Sequence, residues 1–256
     1  MMERSPLMRA PVEVRMMIYD YLFDDGGNKQ LCIRNGAAGK LPKAEHRRRT
    51  RYCVLDKTFH RRCYDTTYRL ETEGTSFCAA LMRVSRALYE ETSCVLYQGH
   101  TFDFGSDIEA VEPFLSDVTP SSRQLIREVS LYKRGPVPPS DNDRSEWRNV
   151  CRFLREQGCV RKLRLVVQGG RPSAAWDGPK EFTAADLKLL SAIKHESLDW
   201  VEELQHIRGL EELEIVPDVH YCPPPSSTNM IIFAALSASI ERGLTEFLRT
   251  QLCLTY

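Results

Sequence analysis

The sequence lacks an excess of either charge, a paired-cysteine motif and a long apolar run. Lys plus Arg and Asp plus Glu number 35 each, so the formal net charge is zero. A balanced chain carries no global field to draw it onto nucleic acid or a membrane. The nine cysteines are scattered, and none stands in a Cys-x-x-Cys pair. That argues against a disulfide scaffold and for reduced thiols in an intracellular protein, cytoplasmic or nuclear. The best apolar run, residues 230–238, is far too short to span a membrane. The opening MMERSPLMRAP has no apolar stretch of signal-peptide length.

Catalytic signatures are also missing. Gly26-Gly27 and Gly169-Gly170 lack the third glycine or the following Lys and Ser of a phosphate loop. There is no Gly-x-Ser-x-Gly and no His-Glu-x-x-His. The six histidines are dispersed along the chain. No catalytic residue, no cofactor and no resident metal are expected. Cys53, His60 and Cys63 form a Cys-x6-His-x2-Cys array, with His46 or Cys78 as a fourth donor, but this spacing matches no strong zinc pattern.

What is present is enough apolar content, 42%, to bury a sizeable core. In residues 9–23, RAPVEVRMMIYDYLF, the residues Val14, Met17, Ile18, Tyr21 and Leu22 fall on one face of a helix. In residues 77–104, Leu81, Val84, Leu88 and Val95 do the same over a helix expected from residue 75 to residue 98. The two helices are expected to pack together. Between them lies an insert, residues 28–74, in which residues 30–33 and 52–55 are short alternating runs that could pair as strands. Arg47, Arg48, Arg49 and Arg51 form its basic cluster. They read either as a nuclear-import or nucleic-acid patch or as a solvated loop.

The second half holds a recurring pattern. Residues 126–131 (IREVSL), 160–165 (VRKLRL) and 210–215 (LEELEI) share apolar, two polar, apolar, polar, apolar. Each follows a helical segment, at 108–115, 145–156 and 199–207. Stacked units of this kind would form a parallel sheet with helical crossovers, resembling irregular leucine-rich repeats. The alternative is three ordinary strands of an α/β domain. Residues 169–179 read as a loop, and residues 229–248 as a closing helix. Trp147, Trp176 and Trp200 are expected to anchor packing.

The two helical segments resemble the fungal F-box-like family. Pro11, Glu13, Val14, Arg15, Ile18 and Tyr19 match its opening run, with Ala10 where Leu is usual. Leu81, Val84, Arg86, Tyr89, Glu90, Glu91, Val95, Leu96 and Tyr97 match its later run, and Thr101 and Phe102 the strand that follows. The insert between the two helices departs from the nearly contiguous family pattern.

The resemblance implies a module that grips a Skp-type adaptor of a cullin–RING ubiquitin ligase while the rest of the chain presents a protein substrate. Pro11, Val14, Ile18, Leu22, Leu81, Val84 and Leu88 are the candidate adaptor-binding residues; the same residues could instead form the core between the two helices. The expected architecture is mixed α/β. An F-box-like helical module with its inserted hairpin occupies residues 1–104, and a helix–strand array closed by a helix occupies residues 105–256.

Overall fold

The computed structural model describes residues 5–23, 29–36, 50–55, 61–71, 79–135, 141–172 and 181–252. Helices α1 (Pro6–Arg9) and α2 (Val12–Phe23) precede β1 (Gln30–Asn35), the hairpin of β2 (Thr50–Leu55) and β3 (Arg61–Thr66), and β4 (Tyr68–Glu71). A 3-10 turn, Ala79–Arg83, leads to α3 (Arg86–Gly99) and β5 (Thr101–Asp103). Next come α4 (Val111–Asp117), α5 (Pro120–Arg123), β6 (Glu128–Lys133), α6 (Asp141–Gln157) and β7 (Lys162–Arg171). Then follow α7 (Ala184–Ala192), α8 (Asp199–Gln205) and β8 (Glu212–Tyr221). The last described elements are α9 (Thr228–Ala238), a π-helical turn (Ile240–Leu244) and α10 (Thr245–Gln251).

The three recurring segments fall in structural register. Val129 pairs with Leu163 and Leu163 with Leu213; Leu131 pairs with Leu165 and Leu165 with Ile215. The strands β1, β5, β6, β7 and β8 are parallel and lie side by side in chain order, with β4 antiparallel on the outer side of β1. This six-stranded sheet is mixed and mostly parallel. Right-handed crossovers between strands laid down in one direction place their helices on one face of a sheet. Burial agrees. In β7, Leu163, Leu165 and Val167 are buried, while the alternating Lys162, Arg164, Val166 and Gln168 are half-exposed.

The helix-covered face carries the main core. Phe102, Phe104, Val129, Leu131, Leu163 and Leu165 pack there with Trp147, Leu154, Leu204, Leu244 and Phe247. Each such side chain contributes about 1.5–3 kcal/mol through its removal from water. The C-terminal helices lie close on β7 because Gly169 and Gly170 leave room. A Cβ at Gly169 would meet Ser237 and Ile240 at 3.0–3.1 Å. The Gly170 N–H donates to Ser237 Oγ at 2.9 Å.

Four expectations change. Residues 169–171 continue β7 instead of opening a loop. The helix expected over residues 75–98 is divided: Ser85 caps α3 by accepting the Leu88 N–H, and the 3-10 turn precedes it. Strand β1 does not pair with β2; it joins the large sheet between β4 and β5, while β2 pairs with β3. The expected boundary at residue 104 falls inside that sheet, which draws β1 and β5 from before it and β6–β8 from after it.

Candidate functional site

Helix α2 has apolar side chains on two sides. Tyr19 and Phe23 point into a small core with Leu88 and Leu96 of α3, against which Met16, Leu81, Met82 and Val95 are partly buried. The other side is Val14, Met17, Ile18, Tyr21 and Leu22. All five are exposed, Met17 at 73% and Tyr21 at 82%. An exposed apolar stripe on a helix that already has a packed side is unusual in a monomer surface. Glu13 and Asp20 are exposed on the same helix and add charge to it.

The site residues named from the sequence divide accordingly. Pro11, Val14, Ile18 and Leu22 are exposed on or just before α2, and Val84 is exposed at the start of the α3 segment. Leu81 is half-buried against the small core. Leu88 is 5% exposed and belongs to that core, so it is not part of a surface offered to a partner. Its place one turn inside α3, facing Tyr19 and Phe23, is what removes it. Met17 and Tyr21 were on the same helical face by spacing, and the structure shows them to be its most exposed members.

The stripe is held by a polar clamp behind it. Arg15 donates to Glu91 through Nε at 2.9 Å and Nη2 at 2.5 Å, and through Nη1 to the Ala10 carbonyl at 2.6 Å. The Tyr19 hydroxyl donates to Glu91 at 2.9 Å. The hydrogen bonds from Arg15, with smaller help from Tyr19, hold the Glu91 carboxyl below the usual carboxylate range. Burial and the Glu91 hydrogen bond push the Tyr19 phenol up. The His100 ring joins the same unit, with Nδ1 3.0 Å from the Leu96 carbonyl and Nε2 3.1 Å from the Phe23 carbonyl. Tyr89 links α3 to α5, its hydroxyl 2.9 Å from Ser122 Oγ.

The sheet face opposite the main core is, among the described residues, a second surface. Its side chains form cross-strand ion pairs: Lys162 with Glu212 at 3.3 Å and with Glu128 at 3.8 Å, and Arg164 with Glu214 at 3.6 Å. Further along, the Tyr132 hydroxyl donates to Asp218 at 2.6 Å. Pairs this exposed add little stability, about 0–1 kcal/mol each, and leave a polar surface open to solvent.

Of the basic insert, Arg47, Arg48 and Arg49 lie outside the described residues, and Arg51 is a backbone position in β2 opposite Asp65. Cys53 and Cys63 stand opposite each other in the hairpin, while His46, His60 and Cys78 lie outside the described residues. Among the described residues no cluster of His, Cys, Asp or Glu could hold a metal ion. Trp147 and Trp200 are buried and edge to face, with ring centroids 5.9 Å apart. Trp176 lies outside the described residues. No described helix is long and apolar enough to cross a membrane.

No curated protein and no solved structure matches the chain. A family model does match, over residues 1–205, which takes in α2, the insert, α3 and the sheet as far as β7. The chain belongs to the family described as Domain of unknown function (DUF7730).

Proposed function

We propose that the chain is a non-catalytic protein-interaction adaptor that docks a Skp-type subunit of a cullin–RING ubiquitin ligase through α2. The observation that carries this reading is the exposed stripe of Val14, Met17, Ile18, Tyr21 and Leu22 on a helix whose other side is packed against α3. The resemblance of residues 9–23 and 77–104 to the fungal F-box-like family supplies the identity of the partner. Burying such a stripe in a partner's groove gains free energy in proportion to the apolar area removed from water. Pro11 and Val84 are exposed as well, while Leu81 is half-buried against the small core.

In this reading the open sheet face presents a protein substrate. Among the described residues it is polar and built from neighbouring strands, as recognition surfaces of stacked helix–strand units are. The chain needs no cofactor for this role.

The test is a pull-down with a purified fungal Skp-type adaptor. Wild-type protein is expected to retain the adaptor, and Ile18→Asp to lose it. Ile18 is 37% exposed, so this variant is expected to fold, which a cooperative thermal melt checks. Failure of folded wild-type protein to retain the adaptor, or equal retention by Ile18→Asp, would overturn the reading.

A further inference from the structure

Strand β6 ends on a lysine that points to the wrong side of its sheet for a charge. Lys133 shares the parity of Val129 and Leu131, and its side chain lies under α6 and α8, 5% exposed. Its ammonium nitrogen is 5.6 Å from the Trp147 ring centroid and 5.8 Å from that of Trp200. Among the described residues it makes one hydrogen bond, to the Arg134 carbonyl at 2.9 Å. An ammonium group has three N–H donors. The indoles offer it π-faces and no acceptor oxygen. Both indole N–H groups are engaged elsewhere, Trp147 with the Trp200 carbonyl and Trp200 with the Ser197 carbonyl.

A cavity of about 80 Å³ opens beside this ammonium, walled by Trp147 and Trp200 and lined by Arg144 and Arg148 as well. Arg148 is taken by Glu203 at 2.9 Å. Arg144 reaches Glu196 through Nη2 at 3.4 Å, but its Nε is buried with no hydrogen-bond partner. Two cationic side chains therefore line one small, partly apolar space, and the Lys133 ammonium has N–H donors to spare.

We propose that this cavity binds a small organic monocarboxylate, its carboxylate on Lys133 Nζ beside the Arg144 guanidinium and its short carbon chain against the two indoles. A space of this size takes several water molecules and so admits an acid of two to four carbons. The carbon walls favour an organic anion over an inorganic one. Of the acidic side chains that line the same cavity, Asp143 is paired with Arg134 at 2.7 Å, Glu196 with Arg144 at 3.4 Å and Glu203 with Arg148 at 2.9 Å, and Asp199 is the fourth.

The state of Lys133 without ligand fits this role. Burial, opposed by Asp143 and Cys151 and helped by the cations Arg134 and Arg144, lowers its pKa to about 8. A bound carboxylate supplies the missing counter-charge and raises that value. Affinity should therefore be level below pH 8 and fall about tenfold per pH unit above it. This site is separate from the α2 stripe, and the inference stands whether or not the adaptor reading does.

The experiment is saturation-transfer NMR on the protons of sodium propionate mixed with the full chain, at fixed ionic strength. A saturable transfer is expected at pH 7, with about tenfold weaker binding at pH 9. Lys133→Met should abolish it. Arg144→Gln, which removes the neighbouring positive charge at a partly exposed position, should weaken it severalfold and guards against a Lys133→Met variant that fails to fold. No saturable transfer to wild type, or undiminished transfer to folded Lys133→Met or Arg144→Gln, overturns the proposal. Displacement of propionate by inorganic phosphate at lower concentration than by butyrate overturns the carboxylate assignment.

Discussion

Arg15 and Glu91 lie 76 residues apart in sequence and meet as a two-point ion pair, Nε to Oε2 at 2.9 Å and Nη2 to Oε1 at 2.5 Å. With the Tyr19 hydroxyl on the same carboxylate, this pair fixes α2 against α3 across the insert. The matching residues of the two motifs thus include a structural clamp, and the clamp turns the second apolar side of α2 outward.

Removing the Tyr19 hydroxyl should loosen the clamp without opening a cavity. Tyr19→Phe is expected to lower stability by about 1–2 kcal/mol, the worth of a hydrogen bond to a charged group. The effect has a pH dependence of known sign. The Glu91 carboxyl is held below its ordinary value in the folded protein, so its contribution is present above that value. It is lost as pH falls through the depressed one. The gap in melting temperature between wild type and Tyr19→Phe should close on acidification, as differential scanning calorimetry from pH 7 down to pH 3 can follow.

Glu109 has the opposite sign. Burial, with the nearby Glu146 and Asp107 carboxylates, raises its pKa to about 6. Asn35 Nδ2 donates to Oε1 at 2.8 Å, and Oε2 is buried without a partner. Folding favours the protonated form, so the stabilisation present below the ordinary carboxylate value is lost as pH rises through about 6. Glu109→Gln mimics the protonated form. It should stabilise the protein at pH 7.5 by up to about 2 kcal/mol and change little at pH 4. Urea denaturation at the two pH values measures the difference.

Two glycines should respond oppositely to alanine. A Cβ at Gly243, in the π-helical turn, would run into the Phe182 carbonyl. Gly243→Ala is expected to cost about 1–3 kcal/mol, as overpacking does. A Cβ at Gly99 in α3 would meet nothing within 4 Å. Gly99→Ala should be neutral or stabilise by about 0.5–1 kcal/mol through helix propensity. Paired thermal melts separate the two cases.

The parallel sheet was legible because strand alternation is local: the last two apolar positions of residues 126–131, 160–165 and 210–215 are positions that pair in register. The pairing of β1 was not legible, since its neighbours β4 and β5 lie on either side of long intervening segments. The division of the α3 region turned on one cap, Ser85, inside an otherwise helical pattern. For α2 the apolar stripe was visible but its burial was not. A helix apolar on two sides gives no internal sign of which side is covered, and Tyr19 and Phe23 settled it by meeting Leu88 and Leu96. The Lys133 cavity left a signal that spacing alone could have flagged, a lysine two residues beyond Leu131 on the buried parity of β6.

The most direct measurement is size-exclusion chromatography of the full chain mixed with a Skp-type adaptor, beside the same mixture made with Met17→Asp. Met17 is 73% exposed and outside both cores, so its substitution should change the surface alone. Co-elution of wild type with the adaptor at equal stoichiometry, and separate elution of Met17→Asp, is the expected result. Separate elution of a well-folded wild-type chain, or co-elution of Met17→Asp to the same extent, would contradict docking through α2.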